Sequence, residues 1–176
     1  MKKVLALLTF SLLFSATAFS QNLFTAINER DALAVKFLLN KGANIEAKDA
    51  NGETPLISAV KTGQERVVIM LLQRNADVDV QDKNGNTPLM LAAAQPDQDQ
   101  ILNLLVQHAP KMGTKNALGE TALIAAVKAG NKSAASFLLE NGADVSTKDK
   151  HSKAAIDYAN EQNNNGLISI LSTQGK

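Results

Sequence analysis

The sequence predicts an all-α solenoid of about five stacked helix-turn-helix units, three full and two degenerate at the ends, with short β-hairpin fingers between them. Three observations predict it. Residues 82–94, DKNGNTPLMLAAA, recur as DANGETPLISAV from Asp49, thirty-three residues upstream, and as NALGETALIAAV from Asn116, thirty-four downstream. Each copy is followed, at the same offset from its Thr, by a leucine pair: Leu71-Leu72, Leu104-Leu105 and Leu138-Leu139. NAD or GAD then follows at residues 75–77 and 142–144, before the next unit opens. A fixed period of this length is the mark of a stacked array, in which each unit buries its apolar side only against its neighbours.

The chain begins with a different kind of segment. Met1-Lys2-Lys3 is a short basic start, residues 4–14 are apolar apart from Thr9 and Ser11, and residues 15–20, SATAFS, are small-residue rich. This is the composition of a secretory signal peptide over residues 1–20. Ala18 and Ser20 place cleavage before Gln21, and Ala16 and Ala18 place it before Phe19; the first is preferred. An uncleaved anchor is the rival reading, but the apolar run is well short of the ~20 residues that span a bilayer. The basic start and the short leader are of the bacterial type, which makes the expected location the periplasm or the medium beyond it.

Residues 21–176 then divide into units of about 21–48, 49–81, 82–115, 116–148 and 149–176. In each full unit the local chemistry prescribes the elements. Asn84-Gly85 supplies the positive φ of a tight turn. Thr87 can accept from the free amides of a helix start, and Pro88 fits the first helical position, where a missing N–H costs nothing. In the unit before, a first helix runs through Leu56, Ala59 and Val60 to a stop at Gly63. A second helix from Gln64 to about Arg74 puts Val67, Val68, Leu71 and Leu72 on one side. The aspartates Asp49, Asp82 and Asp149 recur with the turn, and shaping that turn explains them better than a metal ladder does.

This pattern resembles the ankyrin repeat, whose signature is a T-P-L-H-x-A helix opening in a unit of about 33 residues. Thr54-Pro55-Leu56 with Ala59, Thr87-Pro88-Leu89 with Ala92, and Thr121, Leu123 and Ala126 sit on the motif. The first unit keeps Ala26, Leu38-Leu39 and residues 42–44; the last keeps Ile156, Ala159 and Leu171. Atypical end units suit a solenoid whose outermost faces meet water. Three departures stand out. Ile57, Met90 and Ile124 replace the motif's histidine, which exchanges a polar tie between units for apolar packing. Pro96 stands where Gly63 and Gly130 stand, so the turn at residues 95–100 should differ. One residue more separates Leu105 from Asn116 than separates the corresponding residues before, so the HAPKMGTK finger should be irregular.

Composition narrows function. Removing Lys2 and Lys3 turns 18 basic residues against 17 acidic into 16 against 17, a balance near −1 with no cluster of either sign. That is no electrostatic footprint for nucleic acid or for a membrane surface, and with no Trp and one Tyr there is little to stack on bases. The absence of cysteine rules out disulfide stapling and lipid attachment through a thiol. His108 and His151 are the only histidines and fall in different units, and no H-x-x-x-H or G-x-S-x-G arrangement exists. No catalytic residue, cofactor or metal is therefore expected. Asn131-Lys132-Ser133 fits a glycosylation acceptor but lies at a second-helix start, and residues 163–166, NNNG, read as a polar turn.

The expectation is a monomeric, non-catalytic module that binds a protein partner. The resemblance implies that finger tips and the exposed side of the first helix, on the concave face, hold that partner. Carried onto this sequence, the surface comprises Ala50, Asn51, Glu53, Lys61, Thr62, Lys83, Asn84, Asn86, Ala94, Gln95, Ala117, Leu118, Glu120 and Lys128. Met112 joins it as a flexible apolar neighbour of the unusual Leu118 tip. The alternative for that pair is mutual packing that patches the finger. Beside a periplasmic binding module stand two alternatives, a secreted effector engaging host proteins and a periplasmic immunity or inhibitor protein of an enzyme.

Overall fold

The computed structural model describes residues 22–173, and the expected leader at residues 1–20 lies outside them. Within that range ten α-helices follow one another with no strand. They are α1 (Leu23–Asn28), α2 (Ala32–Asn40), α3 (Pro55–Lys61), α4 (Glu65–Leu72), α5 (Pro88–Ala93), α6 (Asp99–Val106), α7 (Ala122–Lys128), α8 (Lys132–Glu140), α9 (Ala155–Glu161) and α10 (Asn165–Thr173). Odd and even helices pair within a unit, odd packs on odd between units, and even packs on even. The array is thus two rows of helices enclosing one continuous apolar core.

The helix starts follow the local chemistry. The hydroxyls of Thr54, Thr87 and Thr121 accept from the backbone N–H groups of Ile57, Met90 and Ile124, three residues on, and Pro55 and Pro88 occupy the first turn. The last unit has no such hydroxyl; there the Asp157 carboxylate accepts from Ala154 N–H at 2.8 Å. Ile57, Met90 and Ile124 are buried, so apolar packing does stand where the family motif has histidine.

Second helices are tied to the unit before by amides at their N-caps. Gln64 Nε2 donates to Ile27 O at 2.7 Å, Gln98 Nε2 to Val60 O at 3.0 Å and Asn131 Nδ2 to Ala93 O at 3.1 Å. Each bond adds a tie between units at a carbonyl near the end of a first helix, where the intrahelical ladder runs out; those of Ile27 and Val60 also accept from Arg30 and Gly63 N–H. Asn131 also accepts from Ala134 N–H at 3.1 Å, so one end of its amide caps its own helix while the other holds the unit before.

The packing corrects the expected register of the third unit. Val67, Val68, Leu71 and Leu72 are buried on α4; on α6 the buried residues are Ile101, Leu102 and Leu105, with Val106 packed at the edge. The counterpart of Leu71-Leu72 is therefore Leu105-Val106, not Leu104-Leu105. The additional residue sits at Pro96, in the turn before α6. Proline cannot take the left-handed conformation of Gly63 and Gly130, so that role passes to Asp97, at φ +61°. The turn at residues 95–100 does differ. The HAPKMGTK finger has the same length as its neighbours, contrary to expectation; its oddity is Ala109, at φ +51° where Asn75 and Gly142 stand elsewhere.

The fingers are not β-hairpins. Each is a closed turn built on one side chain, with Asp49, Asp82, Asn116 and Asp149 in the same role. Asp82 Oδ1 accepts from Asn84 N–H at 2.8 Å and from Asn86 N–H at 2.9 Å, while Asp82 N–H donates to Asn86 O. The carboxylate occupies the amides that a partner strand would have used, leaving no ladder to form.

The two ends are unlike. In the last unit, Ser152 and Asn163 take the left-handed positions held elsewhere by glycine, and α10 begins at Asn165, inside the run expected to be all turn. The first unit does not meet water with a polar face: Leu33 is 81 % exposed and Phe37 50 %.

Candidate finger-tip interface

Finger tips and first helices meet along one face. The finger base Glu53 pairs with Lys61 at the end of α3, at 2.5 Å, and Glu120 pairs with Lys128 at the end of α7. Asn86 and Ala94 hold these positions in the third unit, leaving a neutral gap between two ion pairs. In the last unit the signs reverse, with Lys153 on the finger and Glu161 on α9, 2.5 Å apart.

The tips are latched to one another. Ala117 N–H donates to Asn84 O at 2.8 Å, and Lys150 N–H donates to Leu118 O at 3.0 Å. Two glycines allow this approach: a Cβ on Gly85 would lie 2.9 Å from Ala117 N, and one on Gly119 would lie 2.8 Å from Lys150 N. Both also sit at positive φ, +77° and +80°. Between the first two tips the link is a side chain, Lys83 Nζ to Asn51 Oδ1 at 3.0 Å.

The residues expected at a partner surface fall into three groups. Ala50, Asn51, Lys61, Lys83, Asn84, Ala94, Ala117, Leu118 and Lys128 are exposed on this face. Glu53, Thr62, Asn86 and Gln95 are half-buried and engaged: Thr62 Oγ1 donates to Ser58 O, Asn86 Oδ1 accepts from Asn116 Nδ2, and Gln95 Nε2 donates to Leu91 O. Glu120 is buried, at 7 % exposure, and holds both Lys128 and Asn116. Met112 is packed against the core at the position of Ile45, Val78 and Val145, whereas Leu118 is 50 % exposed.

One cluster on this face was not foreseen. Tyr158 lies between Lys128 and Lys153, whose ammonium groups stand 5.1 and 5.3 Å from its ring centroid. Its hydroxyl donates to Asp149 Oδ2 at 2.5 Å. That bond to Asp149, with burial adding to it, pushes the phenol up to about 12. Burial works against the Asp149 carboxylate, but the bonds from Tyr158, Lys153 N–H and His151 N–H outweigh it and hold the group below its ordinary value. The available signal was the mirrored spacing of Lys153 and Glu161 against Glu53 and Lys61.

Of the two histidines, His151 joins this cluster through its backbone N–H, which donates to Asp149 Oδ1 at 2.8 Å. His108 Nδ1 is 2.9 Å from Leu104 O at the end of its own helix, and His151 lies at the tip of the last finger. Among the described residues no three His, Cys, Asp or Glu side chains are placed to hold a metal ion, and no helix is long and apolar enough to cross a membrane.

None of the curated proteins compared with the chain matches it. The family model described as ankyrin repeats, in three copies, matches residues 23–116 and again residues 89–176, which together span every helix above. Repeats of this kind generally mediate protein–protein interaction. With its Thr-Pro helix starts, Asx-closed fingers and paired helix rows covered by that match, the chain belongs to the ankyrin-repeat family.

Proposed function

We propose that the protein is an exported, non-catalytic binding module that holds a protein partner across its finger tips and the exposed ends of its first helices. The observation that carries this reading is the latched row of tips. Backbone bonds between successive fingers pre-organise a surface of small, polar and apolar groups, so little conformational freedom is lost when a partner covers it. Leu118 is the apolar anchor of that row. Export is supported by the basic, then apolar, then small-residue order of residues 1–20.

Two measurements test the proposal. Cell fractionation should recover a shortened chain outside the cytoplasm, and recovery of the full-length chain in the cytoplasm would overturn the export reading. Affinity capture from the compartment that holds the protein should return a partner whose retention falls about tenfold with Leu118→Asn, equivalent to about 1.4 kcal/mol. Retention indifferent to Leu118→Asn, Lys83→Ala and Lys128→Ala would place the interface elsewhere.

A further inference from the structure

Two positions, one on the second helices and one just past their ends, reach back to the unit before. Ser133 Oγ donates to Asp99 Oδ2 at 3.0 Å, and Arg74 donates to Asn40 Oδ1 at 2.7 Å. Gly166 repeats the first position: a Cβ there would lie 3.4 Å from the Lys132 side chain. In the first unit these positions are held by Leu33 and Lys41, with Phe37 midway, so the three form one stripe at four-residue spacing along α2. No described unit precedes them. Leu33 and Phe37 are exposed in consequence, and Lys41 Nζ rests 5.6 Å from the Phe37 ring centroid.

We infer that this edge of α2 is an open stacking position that accepts an amphipathic helix from a partner protein. The partner's apolar stripe covers Leu33 and Phe37, and a carboxylate meets Lys41. The contact continues by one helix the interface that already joins α2 to α4 and each later pair. Among the described helices, neither α10 nor a second α2 fits it. In head-to-tail stacking, α10 would bring Asn165 to Leu33 and Thr173 to Lys41, since these hold the positions of Asp99 and Asn40. In a two-fold pair, α2 would meet a second α2, whose N-cap carboxylate, Asp31, is already held by the Leu33 and Ala34 N–H groups and whose Lys36 and Lys41 repeat the positive charge. Lys36, exposed on the same helix, further favours an acidic visitor. The surface is distinct from the finger tips, so the two can be occupied independently.

The test uses the whole protein and a synthetic amphipathic helix of about 15–20 residues, long enough for helicity in water, with leucine along one stripe and glutamate on its flanks. Fluorescence anisotropy should show binding that weakens about tenfold with Leu33→Ser or Phe37→Ser, while the thermal midpoint stays unchanged because both side chains are exposed. Lys41→Glu should weaken it similarly, and a peptide flanked by lysine should recover binding to that variant. Failure of the glutamate peptide to bind, or binding indifferent to these substitutions, overturns the proposal. So does binding to phosphatidylglycerol vesicles without binding to the peptide, or self-association in sedimentation that Leu33→Ser abolishes.

Discussion

The hydroxyl of Tyr158 and the carboxylate of Asp149 meet at 2.5 Å, while the other oxygen of the same carboxylate closes the last finger through the N–H groups of His151 and Lys153. One aspartate thus joins that finger to α9, and the contact leaves a titratable signature. Tyr158 is the sole tyrosine, so its absorbance reports the contact without interference. The phenol should titrate near 12, and Asp149→Asn should bring it down toward its ordinary value of 10. An unchanged midpoint in that variant would show that the bond does not hold in solution.

The same pair predicts a pH window for the closing unit. The phenol is raised in the folded protein, so its contribution is complete below about pH 10, the unfolded value, and is lost as pH rises through about 12. The carboxyl is lowered, so its contribution is complete above about pH 4 and is lost as pH falls through its depressed folded value. Stability measured by denaturant should therefore fall at both extremes, and Asp149→Asn should flatten both limbs.

Leu71 is fully buried on α4, facing units on both sides. Leu71→Ala should cost roughly 2–5 kcal/mol, the range for truncating a buried leucine, and Asn51→Ala on an exposed tip far less. Urea titration of both variants checks this, and coincident midpoints for Leu71→Ala and the parent would contradict the stacked core.

Ala109 and Gly119 both lie at positive φ, with opposite consequences. Ala109→Gly removes a left-handed alanine and should stabilise by up to about 1 kcal/mol. Gly119→Ala should destabilise by more, because its new Cβ would stand 2.8 Å from Lys150 N. Thermal midpoints moving in opposite directions are the expected result.

Met112 and Leu118 should separate in the same way. Met112→Ser removes a side chain packed against the core and should lower the thermal midpoint, whereas Leu118→Asn alters an exposed tip and should leave it nearly unchanged. Equal losses from the two would mean that they pack as a unit.

What the sequence determined by itself is whatever a few neighbouring residues settle. Thr87 and Pro88 start a helix, Asp82 and Gly85 close a finger, and proline at residue 96 moves the left-handed residue, because each acts through bonds or dihedrals within a few positions. The register of α6 was not legible that way. Leu104 and Leu105 fit the leucine pattern equally as letters, and only burial against the adjoining units chooses Leu105-Val106. Closing each finger through a side chain rather than a ladder likewise depended on where the aspartate oxygens come to rest. Tyr158 acquires its two lysines and Asp149 only when fingers and first helices from two units converge. Leu33 and Phe37 are exposed for the same reason in reverse. Their spacing is that of any buried stripe, and it is the tertiary structure, which stacks no described second helix on that side of α2, that leaves them at the surface.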